Sequence, residues 1–467
     1  MLLVDQTSDR AIVVPIKIDA PVGRTVTFTA PPSKSQSIRA IFASLLSVAC
    51  CEGSGEVRLR NVSSCEDASA SLEVAKAFGV KITESHSGDG VLDSRDVMFS
   101  SPDSGASLRT ARPSKLECGE SGLCARMVLP ILGLFGDDTA VTTVTGRGSL
   151  LKRPFDIVAG LKAFGLLVET NAGYLPVNVS GRLRAAHGRI DASLTSQLLS
   201  GLLMALPLTD GDSTVIVENP TSKPYIAMTL ETMERFGIRV RTSEDFTEFH
   251  VSGRQHYVGG SYEVEGDWSA GAFLLVLAAL LKLDGVDVRI LNLSPSSLQA
   301  DRAVLNVLER AGVRVKFENG AFSIDRVESM NGFEFDFTDC PDLVPPLVPL
   351  AVFCRGRTHM YGVKRLRFKE SNRLQALGRL LDAVGVRYEI SDDSFIIDGL
   401  GPNVLPQEDQ IEVDSHNDHR IAMAATLIGL RRRGGISITN ASCVAKSFPS
   451  FYKVVEMVLK ELNGVAG

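Results

Sequence analysis

The sequence predicts an α/β protein of two domains assembled from six similar βαβαββ units, and three observations carry that expectation. Apolar helix-like stretches end at a glycine leading straight into a strand at 72–79, 157–165, 230–237, 304–312, 377–385 and 455–464. Those glycines recur every 72 to 86 residues, too long a period for a common solenoid, and glycine is the residue that ends a helix with positive φ. Each unit carries a second apolar helical stretch, at 38–48, 124–134, 196–205, 269–281, 344–353 and 420–428. Short β-rich runs such as 141–144 and 213–217 separate the helices. Six units in 467 residues give three per domain.

Read in chain order, the first chemical signal is Pro32-Ser33-Lys34-Ser35-Gln36-Ser37-Ile38-Arg39. The strand-like Thr25-Val26-Thr27-Phe28 and a Pro-Pro turn precede it, and a helix follows. Hydroxyls, an ammonium and a guanidinium therefore crowd a helix N-terminus, where free N–H groups and the dipole favour an anion. The segment 85–114, rich in Ser, Asp, Gly and Arg, reads as a mobile loop or weak strands on one edge. Gly119-Glu120-Ser121-Gly122-Leu123 then opens an apolar helix containing Arg126, its small residues leaving backbone amides open to a ligand. A serine-hydrolase elbow needs glycine where Leu123 stands. Arg153 sits beside Pro154 at a helix start; Thr195-Ser196-Gln197 and Ser222-Lys223-Pro224-Tyr225 each precede a helix, as caps or as polyol-binding groups.

The C-terminal half adds Pro341-Asp342, the run 365–373, Asn417-Asp418-His419-Arg420 and Lys446. If 369–373 is helical, Lys369 and Arg373 share one face while Glu370 points elsewhere, and two cations on one face call for an anionic partner. A metal site at 414–419 lacks a third well-spaced His or Cys.

Composition narrows the class of partner. At 44% hydrophobic and 22% charged with net charge −6, signs mixed throughout, the chain has no nucleic-acid-binding face and no polybasic membrane patch. Small anions need only a local basic pocket. No secretory signal is visible, and the longest apolar run, 270–281, falls short of the roughly 20 residues that span a bilayer. Eight cysteines without a Cys-x-x-Cys fit reduced thiols in a cytoplasm, and a monomer is expected.

These motifs, with Glu265-Gly266-Asp267, occur in the order and approximate spacing of the 5-enolpyruvylshikimate-3-phosphate synthase family, which the chain resembles over nearly its whole length. The resemblance implies two domains, each a three-fold βαβαββ repeat, joined by a two-strand hinge: 33–264, and 1–32 with 265–467. It implies transfer of the enolpyruvyl group of phosphoenolpyruvate to the 5-hydroxyl of shikimate-3-phosphate in the shikimate pathway, with no metal or organic cofactor. By the same resemblance Lys34, Ser35, Arg39, Thr195, Ser196, Gln197, Ser222, Tyr225, Asp342 and Lys369 hold shikimate-3-phosphate. Lys34, Gly122, Arg153, Gln197, Arg373, Arg420 and Lys446 hold phosphoenolpyruvate, while Lys34, Asp342, Glu370 and His419 are catalytic.

Three departures stand out. Glu120 replaces a common Asn, adding a negative charge, and Leu123 replaces a common Thr, while Gly122 keeps room for the inhibitor glyphosate. Arg365 also stands where other members use Asn or another polar residue. The sister family of UDP-N-acetylglucosamine enolpyruvyl transferases favours Lys-Asn where Lys34-Ser35 stands. A catalytically dead homologue is the rival of a different class, and the presence of Lys34, Asp342, Lys369, Glu370, His419 and Arg420 speaks against it.

Overall fold

The computed structural model describes residues 2–5, 9–15, 25–51, 55–86, 92–101, 112–327 and 329–462. The chain divides into two compact units, Pro32–Glu265 and Met1–Pro31 with Gly266–Gly467.

In the unit Pro32–Glu265 three helices are buried on nearly every side: Lys34–Cys50, Gly122–Leu132 and Gln197–Ala205. A helix apolar all round belongs in a core; Gly122–Leu132 packs closely on Gln197–Ala205 and also touches Lys34–Cys50. Their closest approach needs a glycine. A Cβ on Gly201 would lie 2.3 Å from the Met127 carbonyl oxygen, so no larger residue fits there. The helices Glu66–Lys76 and Lys223–Arg235 and the 3₁₀ helix Asp156–Phe164 form the amphipathic second set.

Three four-stranded sheets accompany them. In the first, Val57–Ser63 pairs in parallel with Gly260–Glu263 and antiparallel with Ser94–Ser100, which pairs antiparallel with Lys81–His86. The other two repeat that order of pairing, around Thr142–Thr145 and Ser213–Glu218. Part of the segment read as a mobile loop or weak edge strands is thus an inner strand, Ser94–Ser100, whose Val97 and Phe99 are buried although the flanking composition is polar. Residues 87–91 and 102–111 of that segment lie outside the described residues.

The second unit follows the same plan. Its central helices are Trp268–Lys282, Val344–Phe353 and His419–Gly429, and its outer set includes Arg373–Ala383 and Phe451–Leu462. Three sheets form around Asp287–Leu291, Arg355–Tyr361 and Ile436–Thr439, again with one parallel pair followed by two antiparallel ones. The longest apolar run in the sequence is therefore a core helix. Among the described residues no helix is long and apolar enough to cross a membrane.

The recurrent glycines act as helix terminators. Gly79, Gly165, Gly237, Gly312 and Gly385 have φ of 85°, 86°, 82°, 83° and 73°, a region where a Cβ is strained. Gly464 lies outside the described residues.

Candidate active site

In the unit Pro32–Glu265 the side chain of Ser33 caps the first central helix by accepting from the Gln36 amide at 3.3 Å, which places Lys34 and Ser35 in its first turn. Lys34 Nζ lies 3.0 Å from Asp67 Oδ2, both side chains largely buried. Arg39, 1% exposed, donates from Nε to Thr229 Oγ1 at 2.8 Å, from Nη1 to the Ser35 carbonyl at 2.9 Å and from Nη2 to the Tyr225 carbonyl at 3.1 Å. Burial brings this guanidinium down to about 10. Arg39 thereby ties the helix carrying Lys34 and Ser35 to the one led by Ser222 and Tyr225. Ser222 is buried with φ 55° immediately before that helix.

A second cluster forms around Gly122. Ser121 accepts from the Cys124 amide at 3.3 Å and so starts the helix at Gly122. Arg126 donates from Nη1 to Gln197 Oε1 at 2.9 Å and from Nη2 to the Pro154 carbonyl at 2.9 Å, its guanidinium 4.6 Å from the Phe155 ring. A Cβ on Gly122 would meet Arg126 Nη1 at 2.8 Å, Arg153 Nη1 at 3.0 Å and Gln197 Oε1 at 3.7 Å. Two guanidinium groups, an amide and bare helix-terminal N–H groups therefore surround one glycine, a setting that suits a phosphate or carboxylate. The Gln197 backbone N–H donates to Thr195 Oγ1 at 3.3 Å, and Ser196 is buried at the start of the same helix.

The other unit assembles a denser charge cluster. Asp342, on the 3₁₀ turn Pro341–Leu343, accepts from Arg373 Nη1 at 2.7 Å and lies 3.2 Å from Lys369 Nζ. Arg420 donates from Nη1 to the Asp342 carbonyl at 3.0 Å. Burial opposes ionisation of Asp342, but Lys369, Arg420 and Arg373 outweigh it and hold the carboxyl well below the usual range. Burial in turn lowers Lys369, with Asp342 acting against that shift. Arg373, 1% exposed, also donates to Glu370 Oε2 at 2.5 Å, to Asp418 Oδ2 at 2.8 Å and to Asp418 Oδ1 at 3.2 Å. Burial works against the cation there, and the carboxylates of Asp418, Glu370 and Asp342 more than reverse that effect. Asp418 starts the helix His419–Gly429 by accepting from the Arg420 amide at 3.1 Å, and His419 Nδ1 lies 3.8 Å from its Oδ1. Lys446 Nζ donates to the Asn417 carbonyl at 2.7 Å.

Two expectations need correction. Lys369 and Arg373 do not share a helical face: Asn372 caps the helix through the Gln375 amide, so helical geometry begins at Arg373 and Lys369 precedes it. They meet instead at Asp342. Glu370 does not point elsewhere, because its carboxylate takes a bond from Arg373. At 414–419, His416 pairs with Asp414 while His419 is buried beside Asp418, and among the described residues no group of three or more such side chains is arranged for a metal ion. Arg365 donates to the Thr338 carbonyl.

Sequence reading left Asp67, Arg126 and Asp418 out of the site. The last two had a signal, since Arg126 follows Gly122 by one helical turn and Asp418 is the cap preceding His419 and Arg420. Asp67 had none, being 33 residues from its partner.

Buried cations gathered at helix N-termini define an α/β protein with clusters whose chemistry suits small anions. Comparison with known proteins narrows this. Residues 17–455 match the family model of EPSP synthase (3-phosphoshikimate 1-carboxyvinyltransferase). Curated relatives bearing the name 3-phosphoshikimate 1-carboxyvinyltransferase include one from Clostridium novyi (strain NT), 31% identical over 92% of this chain and 94% of its own length. Another, from Clostridium botulinum (strain Eklund 17B / Type B), is 33% identical over 90% and 92%. A solved EPSP synthase from Acinetobacter baumannii superposes with TM-score 0.73 at 25% identity, covering 96% of this chain and 98% of that one. The chain belongs to the EPSP synthase family.

Proposed function

We propose that this chain transfers the enolpyruvyl group of phosphoenolpyruvate to the 5-hydroxyl of shikimate-3-phosphate, releasing phosphate, as a step of the shikimate pathway toward chorismate and aromatic amino acids. The observation that carries the reading is the set Asp342, Lys369, Arg373 and Arg420, a carboxylate held ionised by two buried guanidinium groups and a partly buried ammonium.

In this reading Lys34, Ser35, Arg39, Thr195, Ser196, Gln197, Ser222, Tyr225, Asp342 and Lys369 hold shikimate-3-phosphate. Lys34, Gly122, Arg153, Gln197, Arg373, Arg420 and Lys446 hold phosphoenolpyruvate, joined by Arg126 on the geometry around Gly122. Asp342 takes the proton of the attacking 5-hydroxyl and Glu370 delivers one to the methylene carbon, giving a tetrahedral ketal phosphate. Phosphate then leaves as the methyl group returns a proton, and Lys34 stabilises the charge that develops.

The bonds of Arg373 suggest how Glu370 is readied. An incoming anion competes with Glu370 for that guanidinium, and Glu370, relieved of its cation, exchanges a proton more readily. The same competition loosens Arg373 from Asp342, whose ground-state carboxylate is too well stabilised to be a strong base. His419, buried beside Asp418, assists.

The finer architectural reading belongs to the same proposal: three βαβαββ repeats per domain, joined by two strands where the chain passes between units near residues 31–33 and 264–266. The pairing order shared by all six sheets supports it. A monomeric, cytoplasmic enzyme without metal or organic cofactor, with room for glyphosate beside Gly122, belongs to the same proposal.

The test is release of inorganic phosphate from phosphoenolpyruvate with shikimate-3-phosphate, with UDP-N-acetylglucosamine as the parallel acceptor. Turnover with shikimate-3-phosphate alone is expected. Turnover with the nucleotide sugar alone, or with neither, overturns the reading.

A further inference from the structure

The acidic residue at position 120 does not face an anion pocket as a bare charge. Glu120 Oε2 accepts from the Ser149 amide at 2.9 Å and from the Ser149 hydroxyl at 2.7 Å. That hydroxyl has one proton, and giving it to the carboxylate turns a lone pair toward Arg153, whose Nη2 donates to Ser149 Oγ at 3.0 Å. The relay runs one way: Arg153 to Ser149 to Glu120. Gly148 makes room for it, with φ 55° and no Cβ, since a Cβ there would lie 2.4 Å from the Glu120 carboxylate. At the other end, Arg153 is 8% exposed and its Nη1 lies against Gly122, 3.0 Å from where a Cβ would stand.

From this geometry we infer that Glu120 is a positioning residue: acting through Ser149, it fixes the guanidinium of Arg153 beside Gly122 and so sets affinity for the phosphorylated three-carbon substrate. The inference rests on the function proposed above for the identity of that substrate. Its structural content does not. An asparagine at this position carries no charge and is one methylene shorter, so it cannot reproduce both contacts to Ser149 from the same backbone. The glutamate is therefore an alternative way of holding an arginine that needs an anchor. Placed two hydrogen bonds from the ligand, its acceptor oxygen orients Arg153 while the carboxylate stays off the anion itself.

The experiment compares Ser149→Ala, Glu120→Ala, the double variant and Glu120→Gln in steady-state phosphate release. Each alanine variant is expected to raise KM for phosphoenolpyruvate about tenfold, the worth of one hydrogen bond to a charged group. kcat should stay within about twofold and KM for shikimate-3-phosphate should hold. The double variant should be no worse than either single one, because both break one relay. Glu120→Gln, which keeps an acceptor oxygen of the same reach, should recover most of the affinity. An unchanged KM in Ser149→Ala, effects that multiply in the double variant, or equal damage to both KM values and kcat overturns the inference. A crystal structure of Ser149→Ala keeps the claim testable even if the wild-type protein releases no phosphate from these substrates. Arg153 displaced from Gly122 supports it, and Arg153 unmoved ends it.

Discussion

Arg373 and Asp418 form a two-pronged ion pair, Nε to Oδ2 at 2.8 Å and Nη2 to Oδ1 at 3.2 Å, with both side chains almost wholly out of solvent. The pair is shared work. Asp418 also caps the helix that presents His419 and Arg420 and accepts from Ser371 Oγ at 3.0 Å, while Arg373 reaches on to Asp342 and Glu370. One aspartate thus fixes the orientation of the arginine through which two proposed proton-transfer groups communicate.

Removing that aspartate leaves a buried guanidinium short of a partner and a helix without its cap. Asp418→Ala is expected to cost ~3–5 kcal/mol in stability. Asp418→Asn, which keeps a cap acceptor, should cost less. Trp268 is the single tryptophan, buried in the same unit, so its fluorescence in a urea titration follows the unfolding of the part that matters. A midpoint unmoved in Asp418→Ala would show that the pair is not structural.

Lys34 and Asp67 support a prediction about rate. Both side chains are largely buried at a 3.0 Å contact, so the carboxylate restricts where the ammonium can be. Lys34→Ala is expected to lower kcat by about 10²–10³, as loss of a group stabilising transition-state charge does. Asp67→Asn keeps the shape and removes the charge, and should lower kcat about tenfold. In a Lys34→Ala background Asp67→Asn should cost nothing more, and steady-state phosphate release across this double-mutant cycle decides. Additive losses would mean that Asp67 acts elsewhere.

The sequence disclosed the fold and part of the site for different physical reasons. Helix ends were readable because Gly79, Gly165, Gly237, Gly312 and Gly385 each fill a left-handed position that other residues avoid. The central helices were readable because apolar residues on every face leave only a core position. Cations at helix N-termini were visible for the same local reason. What stayed hidden was pairing across the chain: Asp67 with Lys34 is 33 residues apart, Arg373 with Asp418 is 45. Glu370 was misplaced because a helix was assumed to start at Lys369, whereas the Asn372 cap begins it at Arg373, and Glu370, outside the helix, folds back to accept from that arginine. At Glu120 the charge was legible and its anchorage on Ser149 was not.

Gly122 gives a prediction from crowding. A methyl group there falls 2.8 Å from Arg126 Nη1 and 3.0 Å from Arg153 Nη1, so both guanidinium groups must retreat from the position they now share. Gly122→Ala is expected to fold normally and to raise KM for phosphoenolpyruvate by about tenfold, since two charge-assisted contacts are displaced rather than removed. Inhibition by glyphosate, in the proposal a ligand of the same pocket, should weaken by at least as much. Substrate titrations at fixed shikimate-3-phosphate measure both, and an unchanged KM would place the phosphoenolpyruvate pocket elsewhere.

The last prediction concerns a carboxyl outside the proposed contact set. Asp301, on the 3₁₀ turn Ala300–Ala303, is fully buried. One of its oxygens takes the Ser269 hydroxyl, and the other, Oδ1, has no hydrogen-bond partner among the described residues. Burial is the main reason its pKa rises to about 7, with Arg420 pulling it down and Asp342 and Asp267 pushing it further up. In the unfolded chain the same group ionises near the ordinary aspartate value of 3.8. Below that value both states are protonated and the group contributes no penalty. Between about 4 and 7 the folded state holds a proton that the unfolded state has lost, so stability falls as pH rises through this window and is constant above it. Asp301→Asn keeps an acceptor for Ser269 and cannot ionise. Its stability relative to wild type should therefore climb steadily from about pH 4 to about pH 7 and then level off. Urea midpoints read from Trp268 fluorescence across that range provide the check. A difference that does not vary with pH would mean that Asp301 is ionised in the folded protein throughout, held so by Arg420.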